Sequence, residues 1–106
     1  MEEPQNYQDP NNPTEFEQKH VPVIEVDTTI VSVKIGEVAH PMEESHYIQW
    51  IELLIDGNSH GKTSLQPNVS AKTEFEVDLN GVKEVKVQAL CNLHGLWENT
   101  IKLDSK

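Results

Sequence analysis

Apolar and polar positions alternate along most of this chain. In TEFEVDL, residues 73–79, Phe75, Val77 and Leu79 fall on one face and Glu74, Glu76 and Asp78 on the other. That is the period of a half-buried strand. TIVSVKI at 29–35 alternates in the same way, and VPVIEV at 21–26 is β-branched. HYIQWIELLI at 46–55 is a longer apolar run that suits a central strand, and VKEVKVQAL at 82–90 follows the same logic. WENTIKL at 97–103 places Trp97, Ile101 and Leu103 on one face. DGN at 56–58 and NG at 80–81 carry turn chemistry, and the second reads as a hairpin turn between the strands flanking it. The pattern predicts an all-β fold: an immunoglobulin-like β-sandwich of about seven strands with no long amphipathic helix. The Cys–Trp–Cys spacing of antibody domains is absent, so the likeness is one of architecture.

The N-terminus breaks the pattern. Its first 13 residues hold three prolines, three asparagines and two glutamines, the composition of a tail or extended arm. TEFE at 14–17 fits a capping box and predicts a short helical turn. The expected organisation is an acidic tail over 1–17 and a β-sandwich over 18–106.

A length of 106 residues suits one domain. The formal charge is −10, and half of it comes from Glu2, Glu3, Asp9, Glu15 and Glu17. This argues against nucleic acid as a partner, because little basic charge is available to neutralise phosphates. Any anion chemistry therefore needs positive charge at the site itself. No apolar run has the length of a membrane span, and the first residues lack the basic and apolar regions of a signal peptide. The expectation is a cytoplasmic protein with no membrane association. A single cysteine excludes an internal disulfide and fits a reducing compartment.

Candidate chemistry gathers at the ends of the expected strands. His20 precedes the first. His40 and His46 bracket the loop HPMEESH, Cys91 and His94 share CNLHG before the last strand, and His60 follows the DGN turn. Taken singly, a histidine near a strand end is ordinarily a surface or capping residue, and a lone cysteine is ordinarily a small buried hydrophobe. Taken together, a Cys-x-x-His unit, a His-Pro-x4-His loop and a further histidine suggest a mononuclear metal site built from loops on a rigid scaffold. One thiolate with several imidazoles is a poor set for structural zinc, which favours several thiolates. It suits a redox-active first-row metal.

QKHVPVIEV, GEVAHPMEESHYIQWIEL and CNLHGLWE resemble, in that order, the signature segments of the superoxide reductases, the family of neelaredoxin and of the desulfoferrodoxin iron domain. Pro22, Pro41, Ile48, Trp50, Ile51, Gly95 and Trp97 fit the shared framework. With one cysteine, the chain resembles the one-iron class, which lacks the four-cysteine rubredoxin-like module. The resemblance implies a mononuclear non-haem iron (Fe2+/Fe3+) held by His20, His40, His46 and His94 with Cys91 as axial thiolate. It leaves His60 as structural or exposed. It further implies one-electron reduction of superoxide to hydrogen peroxide, re-reduction by an electron carrier such as rubredoxin, and a homo-oligomer, a tetramer in many relatives. Lys19 is implied as the catalytic cation beside the open coordination position. The family usually reads Glu-Lys-His where this chain has Gln18-Lys19-His20. That glutamate commonly caps oxidised iron, and Gln18 is a poorer ligand for it, with Glu17 one residue earlier. A non-catalytic metal-binding β-sandwich, serving electron transfer or protein interaction, is the alternative reading. It gives a cation at Lys19 no role.

Overall fold

The computed structural model describes residues 3–9, 11–36 and 40–103. A six-residue helix α1 (Glu15–His20) precedes seven strands: β1 (Pro22–Asp27), β2 (Ile30–Ile35), β3 (Ile48–Ile55), β4 (Asn58–Ser64), β5 (Lys72–Glu76), β6 (Glu84–Cys91) and β7 (Gly95–Lys102). They form two antiparallel sheets, β1-β2-β5 and β4-β3-β6-β7, as expected of a sandwich. No described helix is long and apolar enough to cross a membrane.

The inward rows of the two sheets make the core. One sheet contributes Ile24, Val31, Val33, Ile35 and Phe75. The other contributes Ile48, Ile51, Leu53, Val85, Val87, Ala89 and Cys91. In β6 the alternation is strict, and Cys91 is the last inward position of its row. A register shift between Ile48 and Trp50 in β3 changes the parity of that strand, so both Ile48 and Ile51 are buried and Ile48 pairs with Cys91. The scaffold thus ends in a thiol pointing along the core rather than in another hydrophobe.

The turns divide by chemistry. Asp56 (φ 49°) and Gly57 (φ 86°) lie in the left-handed region and close the β3–β4 hairpin in the two-residue form that such backbone angles favour. Asn80-Gly81 does not make the expected hairpin. β5 pairs with β2, whereas β6 pairs with β3 and β7, so this turn carries the chain from one sheet to the other. Its chemistry makes a tight reversal, with Val82 N–H donating to the Leu79 carbonyl, but partner choice is set by core packing.

α1 begins with the predicted capping box: the Thr14 side chain accepts from Glu17 N–H, and the Glu17 carboxylate accepts from Thr14 N–H. Ahead of it, Gln5 lies parallel to β7 and bridges to Trp97. Gln5 N–H donates to Leu96 O at 2.9 Å, and Glu98 N–H donates to Gln5 O at 2.8 Å.

Ile51 is fully buried at the centre of the four-stranded sheet. Ile51→Ala should cost about 3 kcal/mol, the transfer and cavity terms of a deleted core side chain. Urea unfolding checks this; a loss below about 1 kcal/mol would mean the two sheets collapse onto the gap.

Candidate metal centre

Three connections deliver side chains to one end of the sandwich. His20 is the last residue of α1. His40 lies in the β2–β3 connection. His46 closes a tight turn in which the backbones of Glu43 and His46 exchange hydrogen bonds at 2.9 and 3.0 Å. Cys91 ends β6, and His94 is the last residue of the β6–β7 turn, before Gly95 (φ 86°), which takes the left-handed conformation needed to re-enter the sheet.

His20, His40, His46 and Cys91 each offer an atom within 4.8 Å of all the others. His20 Nε2 is 3.2 Å from His40 Nε2, and His40 Nε2 is 3.5 Å from Cys91 Sγ. His94 joins through Nδ1, 3.1 Å from His20 Nε2 and 3.8 Å from Cys91 Sγ. The structure therefore brings together the five residues singled out above. His60 is elsewhere. It lies within β4 rather than in a loop, at the register shift opposite Leu53–Leu54, and its Nε2–H donates to the Glu76 carbonyl at 3.0 Å.

Hydrogen bonding fixes which nitrogen of His20 and of His40 faces the centre. His20 Nδ1–H donates to Phe16 O at 2.8 Å, and His40 Nδ1–H donates to Pro41 O at 2.6 Å. A carbonyl can only accept, so in both neutral rings the proton is on Nδ1 and the lone pair on Nε2. Two lone pairs then face each other across 3.2 Å. His46 Nε2 is buried with no hydrogen-bond partner among the described residues. Such an arrangement is costly unless a cation or a proton donor takes the lone pairs. The spacing suits one: metal–imidazole bonds of about 2.1 Å meeting at right angles separate their nitrogens by about 3 Å. The donor set thus fits a first-row metal ion.

Electrostatics keep the rings neutral. Burial is the main cause in each case. It lowers the pKa of His40 to about 4 and holds those of His20 and His46 below the ordinary 6.5. The neighbouring imidazoles add to the effect, the Lys19 charge lowers His20 and His46 further, and Glu43 opposes it at His46. Lys19 is thus within electrostatic reach of the cluster. Half-exposed on α1, it pairs with exposed Glu15 at 3.6 Å, a contact weak enough to leave the ammonium available. Gln18 Nε2 donates to the Pro13 carbonyl at 3.5 Å. Glu17 is buried, and its carboxylate accepts from Gln8 N–H at 3.2 Å and Thr14 N–H at 3.0 Å, so it is already engaged in holding α1.

Three supporting residues had no motif of their own. Asn92 ties the cysteine turn to the His46 loop: its Nδ2 donates to Ser45 O, its Oδ1 accepts from Tyr47 N–H, and its own N–H donates to Tyr47 O. The ring of Phe16 lies 4.5 Å from that of His20 and 4.7 Å from that of His94. Gln5 Nε2 donates to His94 O at 2.9 Å, a carbonyl that Trp97 Nε1–H also reaches at 3.1 Å. Adjacency to Cys91 was a usable signal for Asn92. Nothing in a polar arm singles out Gln5.

Fold and site define a small β-sandwich with a histidine–cysteine cluster able to hold a metal. A desulfoferrodoxin family model matches residues 12–100. A desulfoferrodoxin homolog of Archaeoglobus fulgidus is 51% identical over 85 residues, 80% of this chain and 65% of that protein. The superoxide reductase of Thermococcus kodakarensis is 35% identical over an alignment covering 82% of this chain and 89% of its own. The one-iron superoxide reductase of Giardia intestinalis superposes with a TM-score of 0.75 at 34% identity, over 81% of this chain and 99% of the other. The chain belongs to the desulfoferrodoxin family. It spans less than two thirds of the length of some of those relatives, 65% in the Archaeoglobus case and 62% for that of Methanothermobacter thermautotrophicus.

The depressed imidazole pKa values give the stability of the metal-free protein a pH dependence. Above pH 6.5 folded and unfolded chains both carry neutral rings, and the full stability is present. As pH falls below 6.5 the unfolded chain protonates first, so stability drops until folded His40 titrates at about 4. Urea midpoints of metal-free protein should therefore fall steadily between those limits, and His40→Gln should flatten the slope. An equal slope in the variant would show that the buried ring is not its source.

Proposed function

We propose that this chain is a superoxide reductase: one superoxide, one electron and two protons give one hydrogen peroxide. One observation carries the reading, the gathering of His20, His40 and His46 around a buried cysteine sulfur, with the Nε2 atoms of His20 and His40 3.2 Å apart and that of His46 orphaned. His20, His40 and His46 would hold iron through Nε2, His94 through Nδ1 and Cys91 through its thiolate. Bound there, iron supplies the one-electron redox couple. Imidazole and thiolate are both good ligands for it, and four neutral rings with one thiolate leave a divalent ion with net positive charge.

The chain's own residues do the rest. The carbonyls of Phe16 and Pro41 fix the tautomers of His20 and His40 and raise their basicity as ligands. With iron bound, the Cys91 thiolate would supply electron density to it. The Lys19 ammonium supplies positive charge beside the cluster in an otherwise acidic protein, attracting the superoxide anion and holding a water able to give a proton. A small electron carrier of the rubredoxin kind would return the electron. Gln18, a neutral amide next to Lys19, would be a poorer ligand for oxidised iron than a carboxylate at the same position.

A visible spectrum tests this. Iron-loaded protein treated with a chemical oxidant should show a thiolate-to-ferric charge-transfer band in the red, absent from Cys91→Ser. In Gln18→Glu the same band should move, because a carboxylate is the better ligand for oxidised iron. Loss of the band in Cys91→Ser with no movement in Gln18→Glu would retain the iron–sulfur bond and remove the account of Gln18. No band in the parent, with zinc or no metal by elemental analysis, would favour the non-catalytic metal-binding module.

A further inference from the structure

The segment ahead of residue 12 lies outside the family match, yet it is bonded into the metal centre. Three contacts make it a strap. The main chain of Gln5 pairs with β7 on both sides of Trp97. The Gln5 side chain donates to the carbonyl of His94 at 2.9 Å. Gln8 N–H donates to the buried Glu17 carboxylate at 3.2 Å, which caps the helix ending in His20. One short arm thus holds two imidazoles that are 74 residues apart in the chain and 3.1 Å apart in space.

The geometry fits positioning. His94 lies in the β6–β7 turn, outside the paired strands, and is less buried than His20 and His40. Its imidazole is also the one that stands outside the tightest four-residue group. A ligand in a turn has more freedom to swing away from a metal than one held in a strand, and its carbonyl is the natural point of restraint. Two donors, Gln5 Nε2 and Trp97 Nε1, converge on that carbonyl from different elements. The Trp97 bond is local to the turn. The Gln5 bond comes from across the molecule, and the Phe16 ring against His94 closes the same side.

We propose that Gln5 is a positioning residue of the metal centre: through its bond to the His94 carbonyl, the N-terminal arm holds His94 against the site and slows loss of the metal. This rests on the reading of His94 as a ligand. Interactions of this outer kind are worth about tenfold to a hundredfold in metal affinity where they orient a ligand.

The test uses cobalt(II) as the probe, with the full chain loaded and its release to excess chelator followed through the thiolate charge-transfer absorption. Gln5→Met removes the amide donor at similar length, and Gln5→Pro also removes the N–H that pairs with Leu96. Each should release cobalt about tenfold faster than the parent or more. A general loss of stability would speed release irrespective of His94, so a double-mutant cycle separates the two. In a His94→Ala background Gln5→Met should change release by less than about twofold. An unchanged rate in both Gln5 variants, or the same acceleration with and without His94, would overturn the positioning role. If His94→Ala alone leaves cobalt release unaltered, the ligand assignment of His94 fails, and the role of Gln5 fails with it.

Discussion

A histidine ring whose Nδ1 proton is held by a carbonyl has one lone pair left to give, in a fixed direction. In this protein two such rings, His20 and His40, aim theirs at each other across 3.2 Å. A third buried nitrogen, on His46, has no protein hydrogen-bond partner among the described residues. Repulsion of that kind inside a small domain is tolerable only if something electron-poor sits among the nitrogens. Much of the rest of the molecule serves to hold that arrangement in place: the carbonyls that set the tautomers, the Asn92 bridge between two loops, the capped helix behind His20 and the arm on His94.

The sandwich makes the arrangement possible. Its core is made by the inward rows of two sheets, and the strict alternation of β6 delivers Cys91 as the final inward residue of a row otherwise built of Val85, Val87 and Ala89. The parity change in β3 brings Ile48 inward beside it. Rigid strands therefore fix the sulfur, and the loops need only bring imidazoles to it. Charge follows the same division. The chain is strongly acidic overall, but burial keeps the rings of His20, His40 and His46 neutral and Lys19 lies within electrostatic reach, so local potential at the site differs from the net charge of −10. Attraction of a small anion depends on the local term.

The strands were legible because alternation is a local signal: 73–79 or 82–90 declares its inward face without reference to the rest of the chain. The cluster was legible because Cys91 and His94 lie close in sequence, as do His40 and His46, and because the surrounding segments resemble a known family. Strand pairing was less accessible. Asn80-Gly81 has hairpin chemistry and makes a tight turn, but the partners of β5 and β6 are selected by core contacts with strands far away in sequence. His60 illustrates the same limit, since an irregularity in pairing with β3 decides its place in β4. The supporting contacts were hidden for another reason. Gln5 is one amide in a polar stretch, and its meaning comes only from a carbonyl 89 residues away.

Where the electrons go is the central question, and product stoichiometry answers it most directly. Reduced, iron-loaded protein would be mixed anaerobically with a known pulse of superoxide, and hydrogen peroxide and dioxygen would be measured. A superoxide reductase gives as much peroxide as superoxide consumed, with no dioxygen and with one equivalent of protein oxidised. Half as much peroxide, accompanied by dioxygen, would mean that the site dismutes superoxide. No accelerated consumption at all would contradict the proposed activity and leave a metal-holding sandwich of another purpose.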